Sequence, residues 1–203
     1  FSFSRPVVVG PATLYIAYTG VIDSVRSRGI YRVREPDGSW YAYTFFEPVD
    51  ARRAFPCFDE PSFKVPWRLT IRTQNDDAAV GNTSVVGVNG VRGGKSWMFG
   101  ETKPLPSYLV AFVVGPFDIV DGGTAGNHGT KLRFVIPRGR AEELRYAPAI
   151  TPKAVGLLED FFGMPIPYGK LDVAVPPRYW GTMDHPGIVA MGQPLTLIKS
   201  SEE

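Results

Sequence analysis

Val65-Pro66-Trp67-Arg68-Leu69-Thr70-Ile71-Arg72 is the stretch that decides the class of fold. Val65, Trp67, Leu69 and Ile71 point to one side of an extended chain, and Arg68, Thr70 and Arg72 to the other. This is the period-2 pattern of a strand with one face on a core and one in water. Pro66 lacks a backbone donor, which suits a sheet edge or a strand start. Outward from this stretch, similar short runs recur. Leu14–Tyr18 and Ile30–Arg34 read as strands, the second after the turn signal Ser27-Arg28-Gly29. Trp40–Phe46 follows Pro36-Asp37-Gly38, so it forms a hairpin with Ile30–Arg34. Val85–Val88, Ser96–Phe99 and Lys131–Ile136 continue the series. Tyr108–Val114 lacks alternation, as expected of a strand covered on both faces. The 22 Gly and 19 Pro are spread evenly, the punctuation of many short strands.

The character changes near Pro137–Ala141. Ala141–Ala147 carries helix formers, and Thr151–Gly163 predicts a helix, with Thr151 as N-cap, Pro152 at the first position and Gly163 as the left-handed stop. Ala154, Leu157, Leu158 and Phe161 recur at helical spacing and predict one buried stripe. Pro148 is expected to break any single helix joining the two pieces. Strands follow at Leu171–Val175 and within 188–198. The reading is mainly β, with a domain boundary that divides the chain into 1–139 and 140–203.

Length and charge exclude several classes of function. The 203 residues are 44% hydrophobic and 21% charged, enough for a packed core and too apolar for a disordered chain. With 22 basic and 20 acidic residues, the net charge of +2 offers no electrostatic basis for nucleic-acid binding. No apolar run reaches the roughly 18 residues of a membrane-spanning helix. Cys57 is the single cysteine, which excludes an internal disulfide and a cysteine zinc cluster. The chain opens at Phe1 without a leader pattern and stops at Glu203 without a cap, so both ends read as cut.

Catalytic raw material is scarce. His128 lies in the glycine-rich turn Gly126–Thr130, where a solvated loop outweighs a metal ligand. No His-Glu-x-x-His, Gly-x-Ser-x-Gly or phosphate loop is present. Cys57 sits among Phe55, Pro56 and Phe58, the setting of a buried structural thiol. Two segments stand out. Thr44–Pro61 packs Glu47, Asp50, Arg52, Arg53, Asp59 and Glu60 among phenylalanines and prolines, where charges must pair. A salt bridge from Glu47 to Arg52 or Arg53 is the structural alternative to any binding role for Glu47. Pro176–Gly187 is a long loop of the kind that carries binding residues, and it holds the second histidine, His185.

At these segments the chain resembles the aminopeptidase N-type zinc metallopeptidases, the gluzincin aminopeptidases of peptidase family M1. The resemblance is carried by Phe46-Glu-Pro-Val-Asp-Ala-Arg-Arg-Ala-Phe-Pro-Cys-Phe-Asp-Glu-Pro-Ser-Phe-Lys64. It continues in Pro104–Phe117, Phe161–Asp172 and Gly181-Thr-Met-Asp-His-Pro-Gly187, the last similar to the family's Gly-x-Met-Glu-Asn element. It implies a β-sandwich or saddle N-terminal domain over 1–139, followed by the α+β start of a thermolysin-like catalytic domain over 140–203. It further implies that Glu47 and Asp184 hold the substrate's free α-amino group. An α-amine is largely protonated at neutral pH, its pKa being near 7.7–8.0. Two converging carboxylates give it charge-assisted hydrogen bonds that an internal peptide bond cannot make. Gly181, Thr182 and Met183 are implied to pair with an extended peptide by strand addition, with His185 closing the element.

The sequence departs from the family pattern at Asp184, where the family has Glu, and at His185, where it has Asn. The shorter side chain withdraws the carboxylate by about 1.5 Å. A protonated His185 would weaken attraction for an ammonium. The zinc motif, a distant Glu ligand and a catalytic Tyr follow this element in the family, and none occurs in the residues after His185. The expectation is therefore an N-terminal portion of a zinc aminopeptidase that acts on peptides with a free N-terminus, binds no metal itself and hydrolyses nothing alone. Zn2+ would belong to the full-length protein. Two readings compete: a non-catalytic relative or protein-binding β module, favoured by Asp184 and His185, and, more weakly, a carbohydrate-binding sandwich suggested by the four Trp and nine Tyr.

Overall fold

The hairpin expected around Pro36-Asp37-Gly38 is formed by β1 (Gly29–Arg34) and β2 (Trp40–Phe45), paired antiparallel from Gly29↔Phe45 to Arg34↔Trp40. A computed structural model of the chain describes residues 3–74, 77–179 and 181–198. Trp180 of the 176–187 loop and the final residues of the 140–203 segment lie outside the described residues. The remaining elements are β3 (Thr70–Gln74), β4 (Ala78–Gly81), β5 (Val85–Val91), β6 (Gly94–Phe99), β7 (Phe112–Gly115), β8 (Phe117–Ala125) and β9 (Thr130–Pro137). After these come α1 (Ala147–Phe162), β10 (Lys170–Ala174), β11 (Thr182–His185), β12 (Ile188–Met191) and α2 (Gln193–Thr196).

The chain is mainly β and forms three sheets, ordered β1-β2-β7-β4, β3-β6-β5 and β11-β12-β10-β9-β8. The first two are antiparallel. In the third, β10 runs parallel to both β9 and β12, and α1 supplies the crossover between β9 and β10. Strands on both sides of residues 139 and 140 therefore share one sheet, although the sequence changes character there.

Period-2 alternation sorts the third sheet's residues onto two covered faces. Leu132, Phe134 and Ile136 of β9, with Leu171 and Val173 of β10 and Val175 just beyond it, pack with Val155 of α1. Val135, Ala174, Ile188 and Ala190 face the other way, onto Tyr31, Tyr41, Tyr43, Val80 and Val113 of the first sheet. Burying a side chain such as Phe134 contributes on the order of 1.5–3 kcal/mol. Arg133 and Asp172, opposite each other in the β9–β10 register, share the second face with Lys170. Lys170 Nζ donates to Asp172 Oδ2 at 2.6 Å and to the Gly81 carbonyl at the end of β4, tying the third sheet to the first.

Several expectations differ from the structure, and one is the strand read over Val65–Arg72, which joins a ladder only from Thr70, with Val65 making a single bridge to Leu105. Leu14–Tyr18 pairs with no strand among the described residues. Its alternate side chains Leu14, Ile16 and Tyr18 instead line a groove of about 340 Å³ with Phe55, Pro56, Trp67 and Leu69. Tyr108–Val114 is not one strand: Leu109 and Val110 donate back to Pro106 and Ser107 in a 3-10 turn, and the ladder begins only at Phe112. The helix starts at Ala147 rather than Thr151, with Pro148 in its first turn and Pro152 inside it. Ala141–Ala147 is helical only as a 3-10 turn over Ala141–Glu143. Gly163 does supply the left-handed stop at φ 65°.

The helix's apolar stripe is the largest difference. Ala154 is exposed, and Leu157 and Phe161 are 71% and 80% exposed. The face turned inward carries Val155, Gly156 and Glu159. Glu159 accepts from the Asn127 amide at 2.6 Å and lies 3.2 Å from His128 Nδ1, so polar contacts fasten α1 to the β8–β9 turn. Among the described residues no helix is long and apolar enough to cross a membrane.

Candidate functional site

The Thr44–Pro61 segment is held by the ion pairs its charge density demanded. Arg28 grips buried Asp50 through Nε at 2.7 Å and Nη2 at 3.0 Å. Arg52 donates its amide and Nε to Asp59 Oδ2, both at 3.0 Å, and the Ser107 hydroxyl donates to Asp59 Oδ1 at 2.6 Å. Burial alone would raise the Asp59 carboxyl, but these donors and the Arg52 charge hold it below the usual carboxylate range. Arg53 pairs with Asp23 at 3.5 Å. Both arginines are thus engaged elsewhere, and Glu47 remains exposed at the exit of β2 with no ion pair among the described residues. Cys57 is half-buried, and burial pushes its thiol up, away from thiolate reactivity.

The second segment folds as a tight hairpin, β11–β12, in the register Thr182↔Met191 to His185↔Ile188. β11 is the edge of its sheet. Thr182 and Asp184 are exposed while Met183 and His185 are buried, as strand alternation requires. Gly181 precedes the strand, its carbonyl accepting from the Gly192 amide at 2.8 Å. The outer row of β11 backbone groups has no ladder partner among the described residues, and such a row accepts an added strand.

His185 does not carry the charge that its sequence position suggested. It is 3% exposed, and burial pulls its pKa down to about 4 against a smaller upward pull from Asp184. The imidazole is neutral at pH 7 and does not oppose a cation near Asp184. Its Nε2 is buried without a hydrogen-bond partner, and the ring lines a cavity of about 10 Å³ between Tyr43, Thr44 and Ile188. That is the lower limit of room for one water.

Tyr179 joins the two segments. Its ring centroid lies 5.9 Å from that of Tyr43 and 6.3 Å from that of Phe45, both on β2. The Tyr43 hydroxyl donates to the Pro177 carbonyl at 2.9 Å. Burial raises the Tyr179 phenol to about 12, and the negative charge of Glu47 adds to the shift. The end of β2 that carries Glu47 therefore lies against the residues that lead into Gly181 and β11. Periodicity gave Tyr179 no special mark, because a loop has no regular spacing that would set one aromatic apart. A separate cavity of about 640 Å³, lined by Asp121, Lys131, Arg133 and Lys170, includes none of these residues.

Comparison with known proteins follows the same segments. The model of the Peptidase M1 N-terminal domain matches residues 2–109, more than half of the chain. The chain belongs to the M1 aminopeptidase family. It is 37% identical to Aminopeptidase M1-A of Oryza sativa subsp. japonica over 92% of this chain and 21% of that protein. It is 34% identical to Aminopeptidase M1 of Arabidopsis thaliana, over 89% of this chain and 21% of the relative. Against Endoplasmic reticulum aminopeptidase 1 of Homo sapiens the identity is 32%, over 91% of this chain and 20% of the relative. The chain spans about a fifth of the length of these relatives. In this M1 chain, the matched region contains Glu47 and the Arg52–Asp59 clamp, and the alignments to the relatives extend over most of the rest.

Proposed function

We propose that this chain is the N-terminal portion of a zinc-dependent aminopeptidase and contributes the grip on the substrate's free α-amine. The observation that carries the reading is the junction at Tyr179, where the Glu47 end of β2 meets the approach to edge strand β11. In this reading Glu47 and Asp184 take the ammonium, while Gly181, Thr182 and Met183 pair with an extended peptide through the open edge. Glu47 suits the role because its carboxylate is exposed and not neutralised by either neighbouring arginine. Two carboxylates placed at a chain end select exopeptidase action, since only a terminal residue presents an ammonium there.

Among the described residues no group of three His, Cys, Asp or Glu side chains is placed to hold a metal. In this reading the zinc ligands come from the rest of the full-length protein, and this chain's share of the work is binding and orientation. The division into an N-terminal β domain and the start of a thermolysin-like catalytic domain belongs to the same proposal. The test is cleavage of a panel of aminoacyl reporter substrates by the full-length protein, with and without zinc, with the 203-residue chain as control. Zinc-dependent release from free but not N-acetylated substrates supports the reading, and inactivity of zinc-loaded full-length protein on every reporter overturns it.

A further inference from the structure

We infer that Asn82 is a positioning residue for the amine-binding edge, fixing the turn that ends β11 and thereby the place where Asp184 stands. The inference rests on the amine-anchoring reading above and adds the device that aims one of its two carboxylates.

Asn82 follows β4 and is 1% exposed. Its side-chain amide satisfies three backbone groups from two distant parts of the chain. Nδ2 donates to the Leu109 carbonyl at 3.0 Å and to the Pro186 carbonyl at 2.9 Å, and Oδ1 accepts from the Ala111 amide at 2.8 Å. The main chain of Asn82 takes part as well. A Cβ placed on Gly187, whose φ is 75°, would stand 2.1 Å from the Asn82 carbonyl oxygen, so only glycine allows this approach. Pro186 and Gly187 are the whole connection between β11 and β12. Residue 82 thus clamps that turn with its side chain on Pro186 and its backbone against Gly187, while Leu109 and Ala111 anchor it to the 3-10 turn before β7.

The lever from this clamp to the site is short. Asp184 lies two residues before Pro186 and pairs with Val189 across the hairpin. A shift of the turn is transmitted along a two-residue stretch of strand to the Asp184 backbone. Because aspartate has one methylene fewer than glutamate, the side chain has less reach with which to compensate. A misplacement of about 1 Å at a positioning group costs roughly 100-fold. One bond reaches the turn, at Pro186, while the bonds with Leu109 and Ala111 fix the plane of the amide that makes it. Leucine, of similar size, would leave the Pro186 and Leu109 carbonyls and the Ala111 amide buried without partners.

The experiment uses the 203-residue chain and three readouts. In the wild type, the Asn82 side-chain amide protons are expected to exchange slowly with solvent by NMR; exchange as fast as that of an exposed asparagine overturns the clamp without any variant. In Asn82→Ala and Asn82→Leu, which add no charge, the buried His185 beside the turn reports local release. Its titration is expected to rise from about 4 toward the ordinary 6.5 while cooperative melting persists. A folded variant in which His185 still titrates near 4 overturns the inference. The third readout is binding of trialanine amide against its N-acetyl counterpart. The wild type is expected to prefer the free amine, and the Asn82 variants to lose at least tenfold of that preference. Asn127→Ala, which loosens the β8–β9 turn instead, is expected to keep it. Preference retained in an Asn82 variant whose His185 has moved overturns the positioning role. A wild type with no preference overturns the amine-anchoring reading, and with it the functional half of this inference, while the His185 readout still decides whether Asn82 holds the turn.

Discussion

Lys170 Nζ lies 2.6 Å from Asp172 Oδ2, with both side chains almost wholly shut off from water. Arg133 reaches the same carboxylate from the next strand with two bonds of 2.8 Å. The two cations respond differently. Burial lowers the Lys170 ammonium despite its partner, whereas the hydrogen bond to Asp172 raises the less buried Arg133. Asp172 is thus the centre of the arrangement, and its loss strands two positive charges. Asp172→Asn is expected to destabilise the chain by about 3–5 kcal/mol, the cost of breaking a buried pair. Lys170→Met leaves Asp172 with Arg133 and is expected to cost about 1.5–3 kcal/mol, the range for a hydrogen bond to a charged group. Urea unfolding of both variants checks the ranking.

Buried His185 makes stability depend on acid. Its folded pKa of about 4 lies below the ordinary value of 6.5, so the unfolded chain takes up the proton first as pH falls. The stability tied to the neutral ring is complete above pH 6.5, declines through the interval down to about 4 and is flat below that. The shift corresponds to about 3 kcal/mol at 1.36 kcal/mol per unit. His185→Gln is expected to flatten this part of the profile, measured as unfolding free energy from pH 7 to pH 4.

Glu47 separates binding from stability. It is exposed and has no ion pair among the described residues, so Glu47→Gln is expected to leave the melting temperature within a degree or two, as for other exposed substitutions. The same change removes a charge-assisted hydrogen bond worth about 1.5–3 kcal/mol from a bound ammonium. Affinity for a free-amine peptide is therefore expected to fall about 10- to 100-fold, with the N-acetyl peptide unaffected. Isothermal titration of both peptides gives the comparison.

On α1, residues spaced as a core stripe lie in water. Leu157→Glu and Phe161→Lys are expected to change unfolding free energy by about 0.5 kcal/mol or less. Val155→Ala, on the inward face, is expected to cost more, at about 1–3 kcal/mol. Chemical denaturation of the three variants distinguishes the two faces.

The contrast on α1 marks where the sequence is readable. The β1–β2 hairpin and the two-sided packing of β9 and β10 follow from turn chemistry and a period of two, both local properties. A helical stripe says that one face is apolar but not whether anything covers it, so Leu157 and Phe161 gave no sign of their exposure. Pro148 and Pro152 gave no reliable start for α1, since the first is accommodated in its first turn and the second inside it. At the site, the two segments that hold Glu47 and residues 181–185 stand out by composition, but their pairing is implied only by family resemblance, because no spacing rule links positions so far apart. Asn82 and Tyr179 could not be found that way. Their importance lies in contacts across 104 residues in one case and 136 in the other, and such long-range contacts leave no trace in local pattern.

The pairing of the strands also dictates where the polypeptide can be divided. A cut after residue 139 would tear β9 from β10 and leave a long ladder open on each piece. A cut at Pro116 severs no strand pairing among the described residues, since every ladder before it closes by Gly115 and every ladder after it begins at Phe117. Pieces made there would part along a seam that no ladder crosses among the described residues, with Asn82 and Lys170 among its fasteners. Reassembly of two such pieces on mixing would then measure directly how strongly that seam holds.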